Sequence, residues 1–222
     1  MSSPTQIPLE GYRPFSEEEM KKRAKDFRLE MQRRRSVRQF SSKPVPMEVI
    51  QDCLLTAGSA PSGANRQPWH FVVITDPAIK KKIRSTSEKE EYRFYNEDQN
   101  ENWLRVLEPL GTGADKPFLE TAPVLIAIFA EKWVMDDEGI KEKNYYVRES
   151  VGIAIGMLVT AIHHAGLVSL TYTVPRMGFL NSLVGRGANE SPMMILVVGY
   201  PDPEARVPKI KKKSLTEIST FR

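Results

Sequence analysis

At 222 residues the chain fits one compact domain, or one domain with extensions, and is long enough to bury a real core. Apolar residues make up 41% and charged residues 27%, proportions that exclude a disordered chain. The 32 basic and 28 acidic side chains leave a formal charge of only +4, too mild to make nucleic acid the default partner.

Residues 1–15 are Pro-rich and polar and read as an arm preceding a domain over 16–222. The opening MSSPTQIPLEGYRPF has no signal peptide and no spanning segment, so a soluble, cytoplasmic protein without a membrane anchor is expected. SEEEMKKRAKDFRLEMQRR follows as a helix, with Ser16 and Glu19 in capping-box spacing. It runs into RRRSVR, Arg33–Arg38. A second helix is predicted over Pro46–Leu55, with Gly58 as its stop. It holds Cys53, the one cysteine, so no intrachain disulfide can form, and a buried structural thiol in a reduced compartment is expected.

APSGANRQPW, Ala60–Trp69, carries a turn signal in Pro61-Ser62-Gly63 and leads into WHFVVIT, a buried strand. Asp76-Pro77 starts the next helix, which loses its apolar stripe as it proceeds. Segment 85–116 is strongly polar yet contains Tyr92, Phe94, Tyr95 and Trp103, costly residues for a linker, and a lid that orders over a ligand accounts for both features. VLIAIFA (124–130) is a continuous apolar strand and 144–166 a long central helix, whose Gly152 and Gly156 permit close approach to a second subunit. Ser150–Pro175 lacks charged residues, but His163, His164 and Gly166 interrupt it, so it reads as a buried helix and strand rather than a membrane span. The histidines have no ligand-like spacing, and no metal site is expected. The strand LVSLTYT, a short helix near 178–184, the strand MMILVVGY and a Lys-rich tail complete the chain. Strands separated by helices, with no dinucleotide-type glycine turn, predict an α+β fold with a mixed sheet flanked by helices.

The arginine cluster is either the basic end of the first helix or a site for a phosphate monoester, which guanidinium forks match in shape and charge. Neither G-x-x-x-x-G-K-[ST] nor G-x-G-x-x-G occurs. A phosphate held by side chains outside those loops leaves flavin mononucleotide among the candidate ligands. Glu91 and Tyr95, four apart, share one face of a helix.

The order RRRSVR, APSGANRQPW, TAPVLIAIF, AGLVSLTYT and VGYP resembles the nitroreductase-type flavoprotein superfamily, and EKEEYRFY followed by DKPFLETAP narrows the resemblance to its iodotyrosine deiodinase branch. The resemblance runs from about Arg33 to Lys213. It implies a nitroreductase-like, domain-swapped homodimer that binds FMN and takes electrons from an external donor, NAD(P)H or a reductase. Arg34, Arg35, Ser36, Val37 and Arg38 match the phosphate motif, and Lys212 stands where relatives complete it with a basic residue, alone or with Lys211 or Lys213. Pro61 and Ser62 would line the flavin. Thr171, Tyr172 and Thr173 would follow its ring edge, with the Thr173 hydroxyl near N5 as the catalytic group. A hydroxyl there favours the neutral semiquinone and opens one-electron steps; reductive loss of iodide from an aromatic ring needs electrons delivered in such steps, or a hydride with a proton, before the halide departs.

The same resemblance gives the lid a role. Glu91 would take the ammonium of an amino-acid zwitterion, Lys116 and Tyr95 its carboxylate, and the Ala64 backbone N–H its phenolate. The implied reaction is reductive dehalogenation of iodotyrosine to tyrosine and halide. The alternative is a general NAD(P)H-dependent nitroreductase or quinone reductase, which has little need of a zwitterion clamp. A non-catalytic flavin or halotyrosine binder, or a basic scaffold for nucleic acid, is the contrasting class. The leading reading has neither a nucleic-acid nor a membrane partner.

Overall fold

A computed structural model describes residues 6–98 and 101–222; the expected arm over 1–15 and lid over 85–116 lie partly outside them, at 1–5 and 99–100. The chain divides into two units, Met1–Arg34 and Arg35–Arg222. The first contains helix α1, Glu17–Gln32, whose start follows the capping rule: the Ser16 hydroxyl accepts the Glu19 N–H at 3.3 Å. Its last turn has no basic residue. The arginine run therefore lies beyond the helix. Arg33 closes the end through its amide and pairs with Glu30, and the Arg34 N–H donates to the Met31 carbonyl at 3.2 Å.

The second unit contains α2 (Met47–Gly58), β1 (Trp69–Ile74), α3 (Pro77–Asn96), α4 (Glu101–Leu107), α5 (Phe118–Thr121), β2 (Val124–Glu131) and the hairpin β3 (Trp133–Met135) and β4 (Lys141–Lys143). It continues with α6 (Val147–His164), β5 (Val168–Tyr172), α7 (Phe179–Leu183), β6 (Glu190–Gly199) and α8 (Leu215–Ile218). The main sheet has the order β1-β2-β6-β5 with antiparallel ladders. Its mixed character comes from one parallel bridge, Ser36 beside Ser169, which sets Ser36 and its neighbours Arg35 and Val37 at the edge of β5.

Strand alternation divides the core between two faces. Leu125, Ala127 and Phe129 of β2, with Ile195 and Val197 of β6, pack towards Ile83, Phe118 and Leu180 from α3, α5 and α7. Val124, Ile126, Ile128 and Ala130, with Leu196 and Val198, pack towards Ile50, Cys53, Val151 and Leu158 from α2 and α6. A doubly covered strand reads as an unbroken apolar run, which is why VLIAIFA carries no polar alternation.

β5 positions the site. Its Leu170 and Tyr172 turn into the α3 face of the core, whereas Thr171 and Thr173 beyond it stay exposed. Helix α3 starts at the expected Asp76, whose carboxylate accepts the Ala78 and Ile79 N–H groups at 2.7 and 3.3 Å. Its apolar stripe does fade, but its buried face does not: Lys80, Ile83, Ser87 and Glu91 continue it. Polar residues replace apolar ones on the inward face where the helix reaches the cavity described next.

Candidate active site

A cavity of about 610 Å³ opens between α3, α4 and the end of β5. Arg38, Glu91, Tyr95, Lys116 and Thr171–Thr173 line it, so seven of the residues expected to hold cofactor or substrate meet in one place. Its apolar walls are Phe94, Trp103, Leu107, Phe118 and Leu170.

At its centre is a buried ion pair, Lys116 Nζ to Glu91 Oε2 at 3.4 Å. Several elements fix it. Arg84 on α3 reaches Glu88 at 2.7 Å, Asp115 at 2.9 Å and Glu120 at 3.5 Å, and Glu88 also accepts the Lys116 N–H at 2.8 Å. This network holds the chain before α5 against α3 and aims the lysine inward. The ammonium also donates to the Gly113 carbonyl and lies 3.5 Å from Thr112 Oγ1. That hydroxyl is 3.3 Å from the Tyr95 hydroxyl, and the Lys116 ammonium stands 5.5 Å from the Tyr95 ring centre, a cation–π distance.

Burial opposes both charges. It raises the carboxyl pKa of Glu91, against the attraction of Lys116. It lowers the ammonium pKa of Lys116, against the attraction of Glu91, with Arg38 pushing in the same downward direction. The pair is thus a charged couple of zero net charge that would gain from further partners.

The phosphate motif is partly in use. Val37 is packed in the core, and its N–H donates to the Ser169 carbonyl at 3.3 Å. The Arg35 guanidinium donates to the Pro208 carbonyl. Two further contacts draw the tail to the same edge: the Asp202 N–H reaches the Gln39 carbonyl at 3.1 Å, and the Arg206 N–H reaches Gln39 Oε1 at 2.6 Å. Arg35 and Gln39 therefore lie beside the start of the second basic cluster, at Arg206–Pro208. Lys212, four residues past Pro208, is exposed, as are Lys211 and Lys213. Ser36 and Arg38 are half-buried, and Arg38 reaches both the central cavity and a second one, of about 630 Å³, with Gln39, Asp202 and Arg206.

Pro61, Ser62 and Ala64 do not line the central cavity in this chain. They sit in a strained turn: Ala64, Asn65 and Gln67 have φ of 51°, 52° and 48°. Left-handed non-glycine residues concentrate where surrounding contacts over-determine the backbone. Here the Ser62 hydroxyl accepts the Gln67 N–H at 2.9 Å, the Gly63 N–H reaches Ser150 Oγ at 3.3 Å, and Arg66 bonds buried Asn144 at 2.9 Å. A Cβ on Gly63 would come within 2.9 Å of the Tyr145 carbonyl oxygen. The Asn65 and Arg66 amides are spent within the turn, on the Ser62 and Gly63 carbonyls; the Ala64 amide is left out of both bonds.

Phe94 and Trp103 were expected in a lid over a ligand and do line the cavity, whereas Phe118 in the same wall, the Arg84 network and the direction of Tyr172 had no counterpart in the sequence. The Arg84–Glu88 spacing on one helix face was the available signal for the network. Nothing local marked Asp115 or Glu120 as its partners.

A monophosphate flavin fits the donor set, because Ser36 and Arg38 stand at a sheet edge beside exposed Thr171 and Thr173 and a large cavity. The comparisons point the same way. The Nitroreductase family model matches residues 31–200. The chain is 48% identical over 210 residues to iodotyrosine deiodinase of Haliscomenobacter hydrossis, covering 95% of this chain and 94% of that one. It is 45% identical over 205 residues to iodotyrosine deiodinase 1 of Homo sapiens, covering 92% of this chain and 71% of that one. Among solved structures, oxidised iodotyrosine deiodinase bound to FMN and 3-iodo-L-tyrosine superposes with a TM-score of 0.74 at 32% identity, covering 88% of this chain and all of that one. Among the described residues no helix is long and apolar enough to cross a membrane. With 170 of its residues matched by the family model and two relatives above 40% identity that each align with more than nine-tenths of it, the chain belongs to the nitroreductase family.

Proposed function

We propose that this chain is an FMN-dependent iodotyrosine deiodinase, and that its cavity binds the substrate as a zwitterion. The observation that carries the reading is the buried Glu91–Lys116 pair in the same cavity as Thr171–Thr173. A broad reductase of flat aromatics gains nothing from burying such a pair, whose desolvation is costly. A ligand carrying its own ammonium and carboxylate offsets that cost on both sides. Glu91 takes the ammonium, and Lys116 and Tyr95 take the carboxylate.

The remaining assignments follow from the same reading. Arg34, Arg35, Ser36 and Arg38 hold the FMN phosphate with Lys212, and the Val37 side chain anchors the motif in the core. Pro61 and Ser62 line the flavin, and the Ala64 N–H donates to the substrate phenolate. Iodine ortho to the hydroxyl acidifies a phenol, so a single donor there selects halotyrosine over tyrosine. Thr171 and Tyr172 follow the ring edge, and the Thr173 hydroxyl is placed at N5. FMN, when bound, supplies the electrons, drawn from NAD(P)H or a reductase. The protein works as a homodimer in which one copy brings the Ala64 turn to the other's cavity, and residues 16–222 form its functional domain behind an arm over 1–15. The cytoplasm suits a chain whose one thiol, Cys53, is buried.

The test is anaerobic. Protein carrying FMN is reduced with dithionite and mixed with 3-iodotyrosine, and iodide is measured. The reading predicts release of one iodide for each flavin reoxidised. Flavin that stays reduced, with no iodide released, would overturn it.

A further inference from the structure

Beneath the ion pair lie two hydroxyls that the assignments above leave idle. Ser87 and Glu91 stand four apart on α3 and are both buried, at 0% and 6% exposure. Tyr172 of β5 faces them, also at 6% exposure. Its ring meets Phe118 edge to face at 5.6 Å, and the Lys116 ammonium lies 5.8 Å from its centre. Neither the Tyr172 hydroxyl nor Ser87 Oγ has a partner at hydrogen-bond distance and angle, although both are fully enclosed. Most buried side-chain polar atoms are paired, and an unpaired one in a native protein calls for an explanation, such as a functional role or a bound species.

The structure assigns Tyr172 as a positioning residue for Glu91: with a zwitterion in the cavity, its hydroxyl donates to the Glu91 carboxylate while accepting from Ser87. This rests on the zwitterion reading. When Lys116 turns to the substrate carboxylate, Glu91 loses its cation on one side and gains the substrate ammonium on the other. A donor fixed from the sheet then keeps the carboxylate ionised and aimed into the cavity. The same shift pairs both idle hydroxyls in one chain, Ser87 to Tyr172 to Glu91. Strand alternation supports the direction: Tyr172 turns towards α3, whereas Thr171 and Thr173 do not. Tyr172 already lies close enough to Glu91 and Ser87 to interact with both, short of full hydrogen-bond geometry: burial, the Glu91 charge and an incipient hydrogen bond to that carboxylate raise its phenol pKa well above the usual range, and Ser87 acts the other way. The other charged and titratable groups at this cluster are Lys116, Arg38, Tyr95, Glu88, Asp98 and Asp115.

The experiment measures 3-iodotyrosine affinity across pH for the FMN-loaded protein by quenching of flavin fluorescence, in the parent and in Tyr172→Phe, Ser87→Ala and Glu91→Gln. Tyr172→Phe keeps the ring and its packing. Loss of one donor to a charged group predicts about tenfold weaker binding at neutral pH. Removing that donor also raises the Glu91 pKa, so the acid limb of the affinity profile should move to higher pH. Ser87→Ala should move it the same way by less, and 2-iodophenol, which lacks the zwitterion, should bind parent and Tyr172→Phe alike. An unmoved acid limb in Tyr172→Phe, with Glu91→Gln strongly impaired, overturns the role of Tyr172 alone. Unimpaired Glu91→Gln overturns the clamp and this proposal with it. Should Tyr172→Phe not fold, Ser87→Ala decides by the same criterion.

Discussion

Glu91→Gln is expected to weaken 3-iodotyrosine binding about 100-fold at neutral pH, since a bond to a charged group contributes about 1.5–3 kcal/mol and a buried ammonium left without its anion loses more. The side chain is nearly isosteric, so the cavity keeps its shape. What disappears is the negative charge that faces the substrate ammonium. The pH dependence follows from the directions of the two shifts. Glu91 must be ionised, and burial raises its pKa, so affinity falls as pH drops through a value above the ordinary glutamate range. Lys116 must be protonated, and burial lowers its pKa, so affinity falls again as pH rises through a value below the ordinary lysine range. Binding is therefore strongest between the two. The linkage to folding has the opposite sign. A raised Glu91 pKa contributes stability below the unfolded value that is lost as pH rises through the folded one. A lowered Lys116 pKa contributes stability above the unfolded value that is lost as pH falls through the folded one. In the neutral window where the substrate binds best, the empty site is thus least favourable to the fold, and 3-iodotyrosine should raise the melting temperature most there. Isothermal titration of parent and Glu91→Gln across pH checks the affinities, and thermal melts with and without 3-iodotyrosine over the same range check the stability.

Arg38→Ala is expected to abolish retention of FMN through purification, and Arg38→Lys to restore only part of it. Arg38 is the one residue of RRRSVR that reaches the central cavity. Its guanidinium can offer two parallel N–H groups to a phosphate, which a lysine cannot. The contrast with Arg35 is informative. That side chain is spent in part on the Pro208 carbonyl, so Arg35→Ala would free the tail that leads to Lys212 as well as remove a charge. Loss of affinity should be steeper with Arg38→Ala, and loss of order in the tail, read by proteolysis near Lys209–Lys213, should be confined to Arg35→Ala. Released flavin is measured by absorbance after denaturation, with circular dichroism confirming that the variants are folded.

Elements buried on both faces were legible in the sequence because composition alone marks them: β2 is an unbroken apolar run, and α6 is apolar around most of its circumference. Capped helix starts were legible too, at Ser16 and Asp76, where one side chain satisfies local amides. The hairpin of β3 and β4 was not, since Lys141, Glu142 and Lys143 are all exposed and nothing in KEK alternates. The inward face of α3 was hidden for a different reason. Apolar periodicity cannot report a helix that buries Ser87 and Glu91 for a polar site. The four-residue spacing on one helix suggested the Glu91–Tyr95 face, but Lys116 arrives from 25 positions away. Its placement depends on Arg84 gathering Glu88, Asp115 and Glu120, a tertiary arrangement that no local pattern encodes.

The central claim is that the cavity reads both charges of an amino acid, and one comparison tests it most directly. The FMN-loaded protein is titrated with 3-iodotyrosine and with its deaminated analogue, 3-(4-hydroxy-3-iodophenyl)propionate, which keeps the iodophenol and the carboxylate and lacks the ammonium. The account predicts that the analogue binds about 100-fold more weakly, because drawing Lys116 to its carboxylate leaves buried Glu91 with no ammonium in exchange. Equal affinity for the two would contradict it.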